Sequence, residues 1–426
     1  MSRSTLAPAD PAAPSASPRR WSMLALATIG FGLNFWAWAL LSPLATGLLE
    51  RGVVPSTALL VAVPVLVGSV GRIPVGALTD RFGGRVMFPL LSLATIVPVL
   101  FLGLFSLTSY PMLLLGGFFL GIAGTTFAIG VPYVSSWFPP EQRGAALGIY
   151  GIGMGGTAVS AFTTVHLSEA FTARTPFVLV AIVLAVFAVL GWVLMREAPG
   201  FTPQRRSIVA TTAATMRLPL TWAASYLYAL SFGGYVAFSV YLPVYLQNAF
   251  DLSAASAAFR MGGFVVVAVI MRPLGGVLAD RIGAVRTLVA ADIVVALMAI
   301  WLATVSHLTH TGTFAFLMMA VSLGLGTGAV FAVIGRAADP SQVGSVTGFV
   351  GAAGGLGGFV PPLILGALWE ALHSYAVGLV ALSAASAIAA VIALRIEKIG
   401  QSSPPSSPSP DRDDSSSAEP TGRTRS

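Results

Sequence analysis

The sequence predicts an all-α integral membrane protein whose twelve transmembrane helices form two pseudo-symmetric six-helix lobes. Three observations carry that prediction: charge is scarce, apolar runs of membrane-spanning length recur, and the second half of the chain repeats the first. Of 426 residues, 23 are Lys or Arg and 16 are Asp or Glu, 9% in all, where a soluble globular protein carries roughly 25%. Apolar residues make up 56%, and the mean hydropathy is +0.85. Such a chain lacks the polar surface to cover a water-soluble core. Soluble enzymes, nucleic-acid binders and secreted scaffolds are excluded. The net charge of +7 comes from 22 Arg and one Lys, and reads as cytoplasmic loops facing anionic lipid. The expected partner is therefore the lipid bilayer, with no nucleic acid. The chain has no Cys, which removes disulfides, thiolate metal sites and cysteine nucleophiles.

Residues 1–20 are rich in Ser, Pro and Ala and hold no apolar core of a signal peptide, so they read as a disordered tail. Six apolar runs follow, at 21–48, 57–79, 86–108, 110–137, 143–168 and 174–195. Each is long enough to cross a bilayer as a helix, and together they make an N-terminal lobe of 21–195. The longest polar stretch between runs extends from Arg196 to Arg217 and contains Pro199, Pro203, Arg205 and Arg206. It reads as a linker over 196–219. Six further runs, at 220–248, 254–279, 286–306, 312–336, 342–371 and 374–395, make a C-terminal lobe of 220–395. Residues 396–426 read as a second disordered tail, turning to Ser, Pro and Asp from about Gln401.

Arg placement orients the chain. One side collects Arg19, Arg20, Arg81, Arg85, Arg143, Arg196, Arg205, Arg206, Arg217, Arg281, Arg286, Arg336, Arg395 and Lys398, while the other has little beyond Arg51 and Arg174. By the positive-inside rule both termini are cytoplasmic. The expectation is a multi-pass protein of the cell's inner membrane, acting as a monomer.

The halves repeat at a constant offset of 200 residues. GRIPVGALTDRFGGR (71–85) answers MRPLGGVLADRIGAVR (271–286), PEQRG (140–144) answers PSQVG (340–344), and GIYGIGMGG (148–156) answers GFVGAAGGL (348–356). Parallel six-helix repeats joined by a linker are a layout of secondary transporters, which hold substrate between the lobes near mid-membrane. The loop Gly-x-x-x-Asp-Arg-x-Gly-Gly-Arg, carried by Gly76, Asp80, Arg81 and Arg85, resembles the loop motif of the major facilitator superfamily. Its partial second copy holds Gly276, Asp280 and Arg281. The resemblance implies the major facilitator fold over the whole membrane part. Gly76 and Gly276 are expected to let helices approach closely. Asp80 and Asp280 are expected to pair with the neighbouring Arg or to cap a helix start, locking one conformation.

Buried charge is the sharpest functional clue, because an ionisable side chain in the bilayer core is costly and usually faces a water-filled path. Arg72 lies eight residues before Asp80, and Arg272 eight before Asp280, which sets both about 12 Å up their helices. No acid is expected at that depth: Asp80, Asp280 and Asp292 fall near cytoplasmic ends, and Glu50 and Glu370 near outer ends. Two guanidiniums without carboxylates attract an anion, and a planar oxyanion fits the planar Arg fork. The bland alternative is that each Arg bonds backbone carbonyls or snorkels to an interface. Glycine supplies a second pattern, with Gly151, Gly153, Gly155 and Gly156 in the fifth span and Gly351, Gly354, Gly355, Gly357 and Gly358 in the eleventh. Tight packing explains most of them, and sliding or bending beside the anion is compatible with it.

These residues, together with GTTFAIGVPYVSSWFPP (124–140) and LYALSFGGYVAFS (227–239), are similar to the nitrate/nitrite porter family within the superfamily. The resemblance implies a nitrate or nitrite ion clamped by Arg72 and Arg272. It implies a hydrogen bond from Tyr228 and a sandwich between the rings of Phe127 and Phe232. Where the family signature has Asn, this chain has Met154, which replaces a polar contact with a soft apolar one. Uptake and nitrate/nitrite exchange both fit, since no core carboxylate offers an obvious proton carrier and His166, His307, His310 and His373 sit near outer helix ends. Carriage of another small anion such as a short carboxylate, or anion sensing without transport, are the competing functions. No enzyme activity, cofactor or metal is expected, because the chain has no Cys, no His pair at ligand spacing and no intramembrane carboxylate dyad.

Overall fold

The computed structural model describes residues 18–199, 201–203, 213, 215–304, 310–337 and 343–401. Residues 1–17 and 402–426 of the two expected tails, Arg205 and Arg206 of the linker, and His307 lie outside the described residues. Among the described residues every regular element is a helix, and eleven spans are long and apolar enough to cross a membrane.

The first half begins with α1 (Pro18–Trp38), α2 (Ala45–Glu50), α3 (Thr57–Val70), α4 (Arg72–Phe82) and α5 (Gly84–Phe101). It continues through α6 (Tyr110–Leu120), α7 (Thr126–Trp137), α8 (Pro140–Tyr150), α9 (Gly156–Ala170) and α10 (Thr175–Leu194). The second half runs α11 (Pro219–Phe250), α12 (Ala254–Ile282), α13 (Ala284–Thr304), α14 (His310–Ala337), α15 (Val343–Gly357), α16 (Val360–Leu372) and α17 (Ala376–Gln401). The expected first span is divided: α1 stops at Trp38, and a turn leads into the short α2. Trp21, Trp36, Trp38 and Asn34 make α1 less apolar than its neighbours, and it is not among the eleven apolar spans. Its polar side chain is instead satisfied inside the bundle, where the Asn34 amide donates to Ser92 Oγ and to the Gly30 carbonyl, both at 2.9 Å.

Local chemistry explains the starts and interruptions. Pro in the first turn opens α6, α8, α10, α11 and α16, where a missing N–H costs nothing. Ser56 and Ser253 accept from the first-turn amides of α3 and α12. Several spans are broken at mid-membrane: α3 and α4 meet at Gly71, 3-10 turns join α6 to α7 (Gly121–Thr125) and α8 to α9 (Gly151–Gly155), and α15 meets α16 at Gly358–Phe359. Irregular backbone at membrane depth is tolerated where protein or a polar cavity satisfies it. These breaks therefore mark the level at which something polar is held.

The halves touch through symmetry-related pairs. The α12 helix packs on α8, the Gly151–Gly155 turn and α9, while α3 and α4 pack on α15. Further along the spans, Gln247 Nε2 donates to Thr46 Oγ1 at 2.9 Å, and Ser42 Oγ donates to the Val240 carbonyl. The apolar window of α11 is 89% buried and that of α17 only 28%, so α11 is central and α17 faces lipid.

The repeated loop ends α4 and α12 at Gly83 and Gly283, with φ of 80° and 101°, a backbone region that excludes most side chains. The expected pairing of Asp80 with Arg81 or Arg85 is not formed. Arg81 lies over the Phe82 ring at 5.3 Å, and Asp80 has no hydrogen-bond or ion-pair partner among the described residues. Asp280 does engage a partner. The acid that caps the start of α5 is Glu197, from the segment after α10, whose Oε1 accepts from the Arg85 backbone N–H at 2.7 Å. Burial pushes the Glu197 carboxyl above the ordinary carboxylate range, while the Arg85 amide and guanidinium pull it back. Sequence spacing could not find this contact, because it joins residues 112 apart.

Glu197→Ala should lose the cap and destabilise the detergent-solubilised protein by about 1 kcal/mol. Glu197→Gln keeps an acceptor without the desolvation cost, so it should melt at or above the wild type at neutral pH. Ionising a carboxyl whose folded value is raised costs stability as pH rises, so that gap should narrow as pH falls through the carboxylate range. Thermal melts at stepped pH values read both effects.

Candidate functional site

The mid-membrane breaks surround two buried cations. Arg72 opens α4 directly after Gly71, and Arg272 sits inside the unbroken α12; each lies ten residues before the end of its span, at Phe82 and Ile282. They are 6% and 5% exposed. Each reaches the opposite half at equivalent positions. Arg72 Nη1 donates to the Gly351 carbonyl at 2.7 Å. Arg272 lies against Gly151, where an added Cβ would come within 2.9 Å of its Nε. Arg272 Nη1 also contacts Met154 Sδ, and Nη2 is 3.4 Å from Tyr228 Oη.

Both guanidiniums share one pair of rings. Arg72 Cζ is 5.3 Å from the ring centroids of both Phe127 and Phe232, and Arg272 Cζ is 5.7 and 5.9 Å from the same two. The two rings are 6.0 Å apart with 29° between their planes. Tyr228 stacks parallel on Phe232 at 4.9 Å, one helical turn along the same face of α11. Ring quadrupoles attract each cation by about 0.5–2 kcal/mol, which offsets part of the desolvation and the mutual repulsion. Among the described residues no carboxylate is hydrogen-bonded or ion-paired to either Arg. Arg72 Nε is buried with no acceptor at all. The site is thus rich in donors and short of negative charge, the complement of a small oxyanion.

The glycines separate into those that permit this arrangement and those that do not bear on it. A Cβ at Gly355 would crowd Ser69 and come within 2.9 Å of Arg72 Nη1, and one at Gly354 would enter the Tyr228 ring. Gly351 faces Phe127 at an ordinary 3.5 Å. A Cβ would strike Phe31 from Gly153, Ala229 from Gly357, Val236 from Gly358 and the Gly32 backbone carbonyl from Gly156. Gly155 and Gly276 are corrections to the packing expectation, since nothing lies within 4 Å of a Cβ at either, and Gly76 meets only Ala128 at 4.0 Å. The close approach beside the second loop motif belongs to Gly275 and Gly328 instead, which face backbone atoms of Leu325 and Arg272.

Several site residues escape sequence reasoning. Tyr150 is fully buried, donates to the Thr126 carbonyl at 3.0 Å, and is close enough to both Arg to feel their charge. Tyr235 Oη lies 3.2 Å from both Thr157 Oγ1 and the Met154 carbonyl. Thr221 and Ser225 carry buried hydroxyls without partners, on the α11 face shared with Tyr228 and Phe232 by helical spacing. The signal available was polar residues interrupting apolar runs, which does not say where they point. His166, by contrast, is exposed on α9. Asp292 is a further correction. It is not at a helix end but eight residues inside α13, 3% exposed, about 12 Å deep. The expected span start at 286 made it look shallower than the observed start at Ala284.

Comparison with known proteins agrees with this architecture. A family model described as the Major Facilitator Superfamily matches residues 27–362 and 263–420. The chain is 45% identical over 363 residues to a probable nitrate/nitrite transporter NarK2 of Mycobacterium tuberculosis, covering 84% of this chain and 92% of that protein. It is 36% identical over 373 residues to a nitrite extrusion protein of Bacillus subtilis, covering 86% and 91%. It is 33% identical over 349 residues to a probable nitrate transporter NarT of Staphylococcus epidermidis, covering 81% and 88%. Among solved structures, a bacterial homolog of the human lysosomal transporter Spinster, inward-facing and unoccupied, matches with a TM-score of 0.66 at 19% identity. That match covers 91% of this chain and 98% of that one.

Two adjacent glycines test the packing account. Gly156→Ala forces a methyl against backbone and should destabilise by about 1–3 kcal/mol. Gly155→Ala, directed into open space, should leave the melting temperature unchanged or slightly raised. Equal effects from both would contradict the packing described.

Proposed function

The chain belongs to the major facilitator superfamily and, within it, to the nitrate/nitrite porter family; on that premise we propose that Arg72 and Arg272 clamp nitrate or nitrite between two lobes that alternate access. The family consists of transporters, so the chain is a secondary transporter and not an enzyme. The observation that carries the reading is the pair of buried guanidiniums with shared rings, no carboxylate partner and an orphaned Nε donor. The lobes in this reading are 21–195 and 220–395, joined by 196–219, with both termini in the cytoplasm and the chain in the inner membrane. In this reading the chain acts as a monomer.

The geometry supports a specific cycle. In the absence of substrate the two cations repel, and each is tied across to the opposite half, Arg72 at Gly351 and Arg272 at Met154. An oxyanion bridging them neutralises one charge and draws Arg72 and Arg272 together. That differential stabilisation is what a ligand must supply to shift a two-state carrier. A planar ion lying between Phe127 and Phe232 needs about 7 Å, two contact distances of about 3.5 Å each. The rings stand 6.0 Å apart, so binding as a sandwich widens them by about 1 Å. The breaks at Gly71, Gly151–Gly155 and Gly358 give the spans a place to flex at that level. A cavity of ≈ 330 Å³ lined by Leu49, Thr57, Tyr241, Asn248, Glu370 and His373 lies between the halves, away from the Arg pair. A longer carboxylate fits less well, because the space around the Arg pair is filled by rings and Met154.

Met154 gives this site its own character. Its thioether is a neutral, weak acceptor beside Arg272, and it cannot donate to a second oxygen as an amide can. Selectivity then rests on Tyr228 and the two Arg forks.

Counterflow of nitrate and nitrite in proteoliposomes tests the proposal. Arg72→Lys and Arg272→Lys keep the charge but lose the fork, and each should reduce exchange at least ten-fold, since a hydrogen bond to a charged group is worth about 1.5–3 kcal/mol. Met154→Asn adds a donor and should raise the preference for nitrate over nitrite. Undiminished exchange in both Lys variants would remove bidentate recognition.

A further inference from the structure

The Asp292 carboxyl is the buried ionisable group that the anion cycle leaves unused. It lies inside the span Ala284–Thr304, 3% exposed, and its Oδ2 is buried with no hydrogen-bond partner. An ionised carboxylate in that position would forfeit its hydration without replacement, a cost of many kcal/mol.

Among the described residues, the packed elements supply no cation to compensate. On α14 there is no ionisable side chain between His310 and Arg336, and on α17 none between Ala376 and Arg395. On α12, Arg272 is engaged with Gly151, Met154 and Tyr228, Arg260 lies twelve residues away toward the other end, and Asp280 and Arg281 lie in the last turn. Arg286 sits in the first turn of α13 itself. From α11 the group close enough to interact is Tyr226, whose hydroxyl donates to the Ala385 carbonyl at 3.1 Å.

The repeat shows that the fold does not require an acid here. The residue 200 positions earlier is Ser92, in the corresponding helix of the first half. Its hydroxyl donates to the Phe88 carbonyl and accepts from Asn34, both at 2.9 Å. A neutral group satisfies that place in one half, and a carboxyl with one buried oxygen left without a partner occupies it in the other.

We propose that Asp292 is a proton-binding site that couples proton movement to anion transport. The inference rests on the anion-carrier reading above and names its coupling ion. In the arrangement described, Asp292 holds a proton as the neutral acid. It takes that proton from hydronium in water on one side of the membrane, the carboxylate gaining one O–H bond and hydronium becoming water. It returns the proton to water on the other side when rearrangement within the second half hydrates α13 where it packs on α14 and α17. Tyr226, which interacts with Asp292, lies two residues from Tyr228 on α11, so a change at Asp292 is felt on the helix that carries the anion's Tyr228 contact. One proton accompanying one nitrate makes net uptake electroneutral.

The experiment uses the full-length protein in proteoliposomes loaded with a pH-sensitive dye. Wild-type protein should move about one proton per nitrate during net uptake and should concentrate nitrate when the outside is made acidic. Asp292→Asn should lose at least ten-fold of both proton movement and pH-driven accumulation, while nitrate/nitrite counterflow, which needs no net proton transfer, persists. Asp292→Ser, which copies Ser92, serves as the second variant should the amide impair folding. Proton-coupled accumulation surviving in either folded variant overturns the assignment, as does a wild type that exchanges nitrate without moving protons. A wild type that exchanges no nitrate or nitrite at all overturns the anion reading instead.

Discussion

Two like charges held at mid-membrane without an acid between them are the constraint around which this molecule is organised. Each guanidinium must be desolvated, and each repels the other. The protein answers with a carbonyl at Gly351, a thioether at Met154, a phenol at Tyr228 and two shared ring faces. None of these is a full counter-charge. In the proposed reading the remaining electrostatic demand drives anion binding, so the instability of the empty site and its function have the same origin.

The helix interruptions lie at the level of that constraint. The Gly151–Gly155 turn lies beside Arg272, while Arg72 reaches the Gly351 carbonyl inside the continuous α15. Gly151 and Gly351 are repeat mates, as are Arg72 and Arg272. Each half therefore supplies one cation and one small-residue surface to receive the other's. The symmetry ends at the details: Arg72 keeps an orphaned Nε, and Arg272 has Tyr228 within reach.

Departures from the repeat identify where the halves have acquired different tasks. Tyr150 has Val350 as its mate, Ser92 has Asp292, and Asn34 has Gly234. The first half satisfies its buried polar groups among neutral partners, through the Asn34–Ser92–Thr95 cluster. The second half places an acid at the same level with one oxygen unsatisfied. The loop motif diverges too, since Glu197 rather than Asp80 caps the helix that follows its first copy.

The sequence alone determined the membrane class, the twelve-run pattern, the repeat and the level of the two Arg, because hydropathy, offset and rise per residue are properties of the chain read in one dimension. It also marked Phe127, Tyr228, Phe232 and Met154, through resemblance to a family. Direction and partnership were decided only in three dimensions. That Arg72 bonds a carbonyl 279 residues away, that Gly155 faces open space while Gly156 abuts backbone, and that Asp292 is deep rather than terminal depend on helix rotation and exact starts. An apolar span is nearly uniform around its axis, so no periodicity in the residues says which face meets lipid and which meets the other lobe.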